Sequence, residues 1–100
     1  DLLSSIFMFH ELPRRVRREA LREFYRVLRP GGLLVLQDAA QVDDAGELAS
    51  FLERFPEEFH EPFFSDYLRD PLEALLTGEG FVEVQRSDAF VSKVVVARKP

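Results

Sequence analysis

The pattern of apolar and polar positions predicts strands and helices joined by short connections. Residues 2–9 form an apolar run interrupted only by Ser4 and Ser5, which is typical of a strand buried on both faces. Periodicity alone leaves a buried helix open for the same residues. We therefore treat residues 2–9 as the first predicted strand.

The next segment predicts an amphipathic helix over residues 13–28. Pro13 suits a first helical turn, where its missing N–H is not needed. Apolar side chains then recur at the spacing of one helix face: Val16, Ala20, Phe24 and Val27. Pro30 and the glycine pair that follows it end the helix and turn the chain into a second buried strand over residues 33–36. This order predicts a right-handed βαβ unit with parallel strands.

The middle of the chain is less regular. Residues 41–46 are a predicted polar loop, and residues 47–55 a predicted short helix. Residues 55–67 interleave aromatic and acidic side chains with two prolines, which favours an irregular cover over an apolar site. The same aromatic rings are also consistent with ordinary core packing beneath a long loop.

The last third of the sequence predicts a helix and an antiparallel pair of strands. Asp70 is the predicted N-cap and Pro71 the first helical residue. Two glycines are predicted to end this helix: Gly78 and Gly80. Residues 81–86 and 91–98 read as strands, and residues 87–90 between them are short enough for a hairpin.

Composition narrows the class of protein. The 100 residues, 46% of them hydrophobic and 31% charged, fit one packed α/β domain spanning residues 1–100. Because there is no cysteine, disulfides and thiolate metal sites are excluded and a cytoplasmic location is favoured. No apolar stretch is long enough to span a membrane. The chain starts on Asp1 and at once enters a strand, so we expect it to be a segment of a longer protein.

Charge is unevenly distributed along the chain. Residues 1–30 contain seven Arg and four acidic residues, whereas residues 31–100 contain six basic and fourteen acidic residues. The basic run at residues 14–18 raises the possibility of an RNA-contacting surface. However, acidic residues are interleaved in the same helix and the net charge is −5, which favours a solvated helix face. We therefore expect no nucleic-acid partner.

Residues 23–32, Glu-Phe-Tyr-Arg-Val-Leu-Arg-Pro-Gly-Gly, carry a resemblance to a known family. They resemble the segment that leads into the fifth strand of class I S-adenosylmethionine (SAM)-dependent methyltransferases, with Arg29 where that family has Lys. Gly80-Phe81 before a later strand and the closing residues 95–99 are similar to the same family. Residues 9–13 also look like a segment of members that act on small or lipid-like molecules.

The resemblance covers essentially the whole chain and implies its fold. It implies an α/β domain with a partial Rossmann-like sheet, whose strands are equivalent to strands 4-5-7-6, the last one inserted antiparallel. This is the C-terminal half of the methyltransferase domain. The Gly-rich loop and the acidic residue that hold SAM in the other half are not found in this sequence. SAM is thus the cofactor expected of a longer parent enzyme, and we expect no tight binding by this chain alone.

Ligands of open α/β sheets bind beyond the carboxyl ends of the strands, and polar residues follow both predicted parallel strands there. The resemblance implies that His10 is the candidate general base and that Met8 and Phe9 lie beside SAM. It implies an acceptor site formed by several side chains: Phe9, Glu11, Asp38, Phe63 and Tyr67. The ordinary structural explanation is that His10 bonds a loop and Glu11 caps the following helix. No metal site is expected, since no pair of histidines recurs on one helix face.

Two functions of different classes follow from the sequence. The first is a fragment of an enzyme that transfers a methyl group from SAM to a small-molecule acceptor and is not competent alone. The second is a non-catalytic association module that forms homo-oligomers through residues 2–9, because the first strand would present an unpaired apolar edge.

Overall fold

The computed structural model describes residues 1–41, 44, 63–89 and 92–100. Their elements are, in chain order, β1 (Leu2–Ile6), a 3₁₀ turn (Phe9–Glu11), α1 (Arg14–Val27), β2 (Leu33–Ala39), α2 (Phe64–Leu68), α3 (Leu72–Glu79), β3 (Val82–Ala89) and β4 (Ser92–Arg98). The helix predicted over residues 47–55 lies outside the described residues. Within the described ranges, every helix is too short or too polar to cross a membrane.

The four strands form one mixed sheet in the order β1-β2-β4-β3. β1 and β2 run parallel, and β4 runs antiparallel to both of its neighbours. Because α1 connects the two parallel strands, the predicted β-α-β unit is confirmed. The strand order is the one that the 4-5-7-6 resemblance implies, so the predicted α/β fold class is also confirmed.

One face of the sheet carries the hydrophobic core. Leu34 and Leu36 of β2 alternate with outward residues, as do Val95 and Ala97 of β4, and all four are at most 1% exposed. Side chains from the helices and from the start of β3 pack against them: Leu21, Leu28, Leu72, Leu76 and Phe81. The intervening residues of β2 and β4 point to the second face, where they are only half-buried.

The first strand is shorter and more exposed than predicted. β1 ends at Ile6 rather than at Phe9, because Phe7 adopts a φ of +51° and turns the chain out of the strand. The prediction that this strand is buried on both faces is wrong, since Leu2 and Ile6 are 69% and 64% exposed. Among the described residues, β2 is the only strand that pairs with β1.

α1 has nearly the predicted bounds, and Ala20 and Phe24 of its predicted apolar face pack against the core. Its buried residues are Arg17 and Leu21, whereas Val27, which was predicted to face the core, is 48% exposed. The buried face therefore includes Arg17 and Leu21 beside the predicted positions and excludes Val27. Ion pairs with Asp66 and Asp70 allow the charged Arg17 to occupy the interior.

The start of α3 differs from the prediction. Pro71 occupies the N-cap position, and Asp70 makes no capping bond because its carboxylate accepts hydrogen bonds from Arg17. Gly80 ends the helix as predicted, with a φ of +110° that favours glycine. Gly78 lies inside the helix, so its predicted role in ending the helix is wrong.

β3 and β4 form the predicted antiparallel pair, but they extend further toward their connection. Ser87 pairs with Val94 and Asp88 pairs with Lys93, so these two residues belong to the strand. The prediction that the turn begins at residue 87 is therefore wrong. The structure also describes the end of the segment that was predicted to be an irregular cover. Its last residues fold into α2 rather than an irregular cover.

Candidate functional site

Asp38 and the 3₁₀ turn meet at the carboxyl ends of β1 and β2, where parallel strands bring their following residues together. Asp38 is 2% exposed. Its Oδ2 accepts the N–H of Phe9 at 2.7 Å, and its Oδ1 accepts the N–H of Ala39 at 2.9 Å. The imidazole Nδ1 of His10 lies 2.7 Å from the same Oδ1. The structure therefore joins His10 and Asp38, which the sequence placed after separate strands.

These hydrogen bonds define the protonation of the imidazole ring. Both carboxylate oxygens of Asp38 already accept backbone N–H groups, so Nδ1 of His10 carries a proton and donates it to Oδ1. When the ring is neutral, Nε2 is its basic nitrogen, on the side of the ring away from Asp38. It lies 3.9 Å from Oε1 of Glu11, and 13% of the His10 side chain is exposed. The pair has the arrangement of an oriented general base.

Aromatic rings surround this imidazole. The centroids of Phe64, Tyr67 and Phe7 lie 5.5, 6.3 and 6.4 Å from that of His10. Phe7 is 44% exposed, and Phe63, which was predicted to contact the acceptor, is 40% exposed. Exposed apolar surface therefore lies both beside His10 and at the start of α2. Phe64 belongs to the aromatic segment that was predicted to cover an apolar site, whereas the sequence analysis did not select Phe7, which has no recognisable spacing with His10.

Tyr67 joins α2 to the end of β2. It is fully buried, and its hydroxyl donates a hydrogen bond to the carbonyl oxygen of Ala39. Burial raises the pKa of Tyr67 far above its ordinary value of 10, and the charges of Asp38 and Asp44 raise it further. The hydroxyl therefore stays protonated and acts as a hydrogen-bond donor rather than as a base.

The remaining predicted site residues differ in their surroundings. The side chain of Glu11 is 67% exposed. Met8 is half-buried against the core, and Phe9 is 1% exposed with its ring 6.1 Å from that of Phe24. The Phe9 ring thus serves the core. Roles of these three residues toward a cofactor or an acceptor stay predictions.

A buried cluster around Lys93, which the sequence analysis missed, lies beside the same end of the sheet. Lys93 is 1% exposed, and its Nζ lies 2.8 Å from Oδ2 of Asp44, 2.9 Å from Oε1 of Gln41 and 2.5 Å from Oε1 of Glu73. It stands opposite Asp38 in the strand register. A lysine within the apolar alternation of β4 is the sequence signal that indicates this cluster.

Gln41 links this cluster to the aromatic side of the site. Its amide nitrogen donates to the carbonyl oxygens of Tyr67 at 2.7 Å and Asp70 at 2.8 Å, and its Oε1 accepts the N–H of Leu72. The connection between α2 and α3 is therefore fixed against the residues that follow β2. This fixes the position of the Tyr67 ring relative to His10.

The basic run of α1 binds acidic residues of the same chain. Nε of Arg14 lies 3.1 Å from both carboxylate oxygens of Asp66, and the buried Arg17 contacts both Asp66 and Asp70. The hydrogen bond from Arg14 lowers the pKa of Asp66, and Arg17 lowers it further. The predicted solvated face is wrong for Arg17, whereas Arg15 is 83% exposed. Across the part of the chain that the structure describes, no three potential metal ligands come together.

Comparison with known proteins supports the predicted resemblance. The model of a family described as a methyltransferase domain matches residues 1–36, which include β1, the 3₁₀ turn, α1 and the start of β2. This match supports a class I SAM-dependent methyltransferase domain, and families of this kind generally use SAM. No curated protein matches the chain significantly.

A solved structure supports the fold over the full length of the chain. It is titled the crystal structure of a possible exported protein from Bordetella parapertussis and aligns with a TM-score of 0.66 and 22% sequence identity. The alignment covers 100% of this chain and 39% of that chain. This chain therefore spans about two fifths of the length of the structure that it matches, and the likeness extends to the fold alone.

Proposed function

We propose that the chain is the C-terminal part of a SAM-dependent methyltransferase whose acceptor is a small molecule. The observation that carries this proposal is the His10–Asp38 pair at the carboxyl edge of β1 and β2. The match of residues 1–36 to a methyltransferase domain supports it from the sequence side. A cytoplasmic location belongs to the same proposal, since the chain has no cysteine that would form disulfides.

In this proposal, His10 takes a proton from the acceptor. The hydrogen bond from Nδ1 to Asp38 holds the ring and directs Nε2 toward a hydroxyl or amine of the acceptor. The exposed rings of Phe7 and Phe63 offer apolar surface to the body of that acceptor. When SAM is bound, it supplies the methyl group that is bonded to its sulfonium sulfur.

We propose that the chain does not enclose SAM by itself and is not competent alone. The N–H of Phe9, one of the predicted cofactor contacts, is already bound to Asp38, and its ring is in the core. Met8 is half-buried against the same core. The sequence also lacks the Gly-rich loop with which the resembling family approaches the cofactor. A second polypeptide half would have to supply that part of the site.

Calorimetric titration tests the two parts of this proposal separately. We expect no binding when SAM or its demethylated product is added to the chain of 100 residues. We expect binding once the Gly-rich first half of a methyltransferase domain is fused before Asp1. Binding by the chain alone would contradict its proposed incompetence, and no binding by the fusion would contradict the methyltransferase proposal.

The same fusion tests the role of His10. His10→Ala should lower kcat by about 10²–10⁴-fold while the affinity for SAM stays unchanged, because the proton acceptor is lost and the cofactor contacts remain. Arg15→Ala is the control, since its side chain is 83% exposed on α1 and is not one of the candidate site residues. An unchanged kcat in His10→Ala would show that transfer needs no base.

Self-association through β1 is a second candidate function. The specific observation that favours it is the exposure of Leu2 and Ile6, 69% and 64%, on a strand at the edge of the sheet. An edge strand with apolar side chains is a template for pairing with another chain. Light scattering of the chain tests this function, and a monodisperse monomer would contradict it.

A further inference from the structure

Lys93 is a buried cation beside the candidate site. It faces Asp38 across the antiparallel pair of β2 and β4, and facing residues of such a pair share one face of the sheet with Cα atoms about 4.5–5.5 Å apart. Both side chains are at most 2% exposed. Asp38 binds the 3₁₀ turn, whereas Nζ of Lys93 contacts the residues that follow β2 and the first turn of α3. The two side chains therefore hold different elements at the same end of the sheet.

Two carboxylates compensate for the burial of the Lys93 charge. Nζ lies 2.8 Å from Oδ2 of Asp44 and 2.5 Å from Oε1 of Glu73. Nη1 of Arg86 approaches the other oxygen of each carboxylate, at 2.6 and 3.5 Å. The formal charges of these four side chains cancel, which offsets the cost of removing a lysine from water. The third contact of Nζ, at 2.9 Å, is to Oε1 of Gln41.

Lys93 determines the orientation of the Gln41 amide. An ammonium group can only donate hydrogen bonds, so the amide oxygen has to face Nζ. The amide nitrogen then donates to the carbonyl oxygens of Tyr67 and Asp70, which can only accept. The amide oxygen also accepts the N–H of Leu72. A reversed amide would oppose donors to donors and acceptors to acceptors, so this one orientation satisfies all of these groups.

Tyr67 connects this amide to the imidazole of the candidate site. Its ring packs nearly perpendicular to that of His10, with centroids 6.3 Å apart, and it also contacts the ring of Phe64. Its carbonyl oxygen is bound by Gln41 and its hydroxyl by the carbonyl oxygen of Ala39. The ring is therefore held at both ends, and one of the two ends depends on the amide that Lys93 orients.

We propose that Lys93 is a positioning residue of the candidate site: its ammonium group orients the Gln41 amide, and the amide holds the Tyr67 ring against the imidazole of His10. The inference rests on the proposed function, in which His10 takes a proton from the acceptor. Lys93 acts through Gln41 and Tyr67 rather than on the acceptor itself. Its contribution is that the imidazole is already fixed before the acceptor binds, which lowers the cost of reaching a reactive geometry.

NMR of the His10 imidazole in the chain of 100 residues tests the positioning directly. The chain has two histidines, so the His10 resonances are identified as those that His10→Ala removes. In the wild-type chain these resonances carry ring-current shifts from the neighbouring Tyr67 and Phe64. Lys93→Met should lose most of these shifts, because it keeps a long apolar stem and removes the donor that orients the amide.

Lys99→Met is the matched control. It is the same substitution one residue past the opposite end of β4, where Nζ of Lys99 donates to the carbonyl oxygens of Tyr25 at 2.7 Å and Leu28 at 2.8 Å. We expect both variants to unfold at lower urea concentration than the wild-type chain and only Lys93→Met to change the His10 resonances. A folded Lys93→Met with wild-type His10 resonances would show that Lys93 only contributes stability, and it would overturn the proposal.

The route through Gln41 has its own test. Gln41→Leu should cause the same loss of His10 shifts, and Lys93→Met added to Gln41→Leu should cause no further loss, because the shared step is already removed. Losses that add in the double variant would overturn the route through the amide. Circular dichroism of each variant establishes that it is folded.

The wild-type chain provides a measurement that does not depend on the folding of any variant. The side-chain amide protons of Gln41, which is 1% exposed, should exchange with solvent at least about a hundredfold more slowly than those of Gln85, which is exposed on β3. Equal exchange of the two amides would show that Gln41 is not held, and it would overturn the proposal.

Activity of the fused domain separates this inference from the proposed function. Lys93→Met should lower kcat by about 10–100-fold with little change in the affinity for SAM, and Lys99→Met should lower it by less. Loss of the His10 shifts with an unchanged kcat would contradict the role of His10 in the proposed function. Unchanged His10 shifts in Lys93→Met would overturn the positioning role alone and leave the proposed function standing.

Discussion

At the scale of single residues, Asp38 organises the candidate site. One carboxylate accepts the N–H of Phe9, the N–H of Ala39 and the Nδ1 proton of His10. Hydrogen bonds to a buried charged group are stronger than those between neutral groups. Asp38 therefore fixes the 3₁₀ turn and the imidazole ring with the same two oxygens, so the backbone that carries His10 and the ring itself are oriented together.

The two glycines near the end of α3 offer a prediction at this scale. Gly80→Ala should lower the free energy of unfolding by about 1–3 kcal/mol, because Gly80 has a φ of +110° and a Cβ there would lie 3.2 Å from the Tyr25 ring. Gly78→Ala should raise it by about 0.5–1 kcal/mol, since Gly78 is helical and a Cβ meets nothing within 4 Å. Urea denaturation measures both variants.

The decisive result is that the two substitutions change the free energy of unfolding in opposite directions. They lie two residues apart in a similar sequence context, so composition and helix length cancel in the comparison. Stabilisation by Gly80→Ala would contradict the left-handed end of α3. Destabilisation by Gly78→Ala would contradict its open position on the helix surface.

At the scale of elements, local patterns predicted which segments form helices and strands, but not which residues of α1 are fully buried. The bounds of α1 depend on Pro13 and on the Pro30 turn, which are local signals. Its buried face depends on Arg17, whose acidic partners lie 49 and 53 residues away in sequence. Apolar periodicity counts an arginine as an outward residue, so it left out Arg17 and included the exposed Val27, although Ala20 and Phe24 of the same predicted face do contact the core.

In the candidate site, too, some residues can be selected from local sequence, whereas others depend on contacts between residues that are distant in sequence. His10 and Asp38 could be selected because each follows a parallel strand, and the carboxyl ends of such strands share one edge. The positions of Phe64 and Tyr67 above His10 depend on Gln41, which fixes the α2–α3 connection through contacts more than 25 residues apart. No spacing in the sequence encodes such contacts.

Arg17 supplies a prediction for the docking of α1. Arg17→Met should lower the free energy of unfolding by about 3 kcal/mol, because it removes a fully buried charge and leaves Asp70, 4% exposed, with weaker partners. Arg15→Met is the matched control on the exposed face, where the change should stay within about 0.5 kcal/mol. Equal effects of the two substitutions would contradict the buried face of α1.

The dependence of stability on pH tests the same ion pairs. The pKa of Asp66 in the folded chain is lowered from its ordinary value of 3.8 by the hydrogen bond from Arg14 and by Arg17. A lowered folded pKa gives stability that is present above 3.8 and is lost as the pH falls through the folded value. Because Asp66 is partly exposed, the free energy of unfolding that is lost at acid pH should be small. Arg17→Met should make this loss smaller, since it removes one of the two partners of Asp66.

At the scale of the whole molecule, the sheet has two unequal faces. The helices and the core cluster lie on one face, where Leu34, Leu36, Val95 and Ala97 are at most 1% exposed. Alternate residues of the same strands are only half-buried on the second face. This asymmetry and the open edge of β1 both leave apolar surface partly exposed, and such surface marks places where further polypeptide can pack.

Adjacent valines of β4 test this asymmetry. Val95→Ala should lower the free energy of unfolding by about 2–3 kcal/mol, because it removes two methyl groups from a fully buried position and leaves a cavity. Val96→Ala should lower it by less than about 1 kcal/mol, since Val96 is half-buried on the second face and loses mainly its strand preference. Both changes are the same in chemistry and neighbouring in sequence, so the difference reports the face alone. Urea denaturation at two protein concentrations separates folding from association. Equal losses of unfolding free energy in Val95→Ala and Val96→Ala would show that the second face is covered as fully as the first.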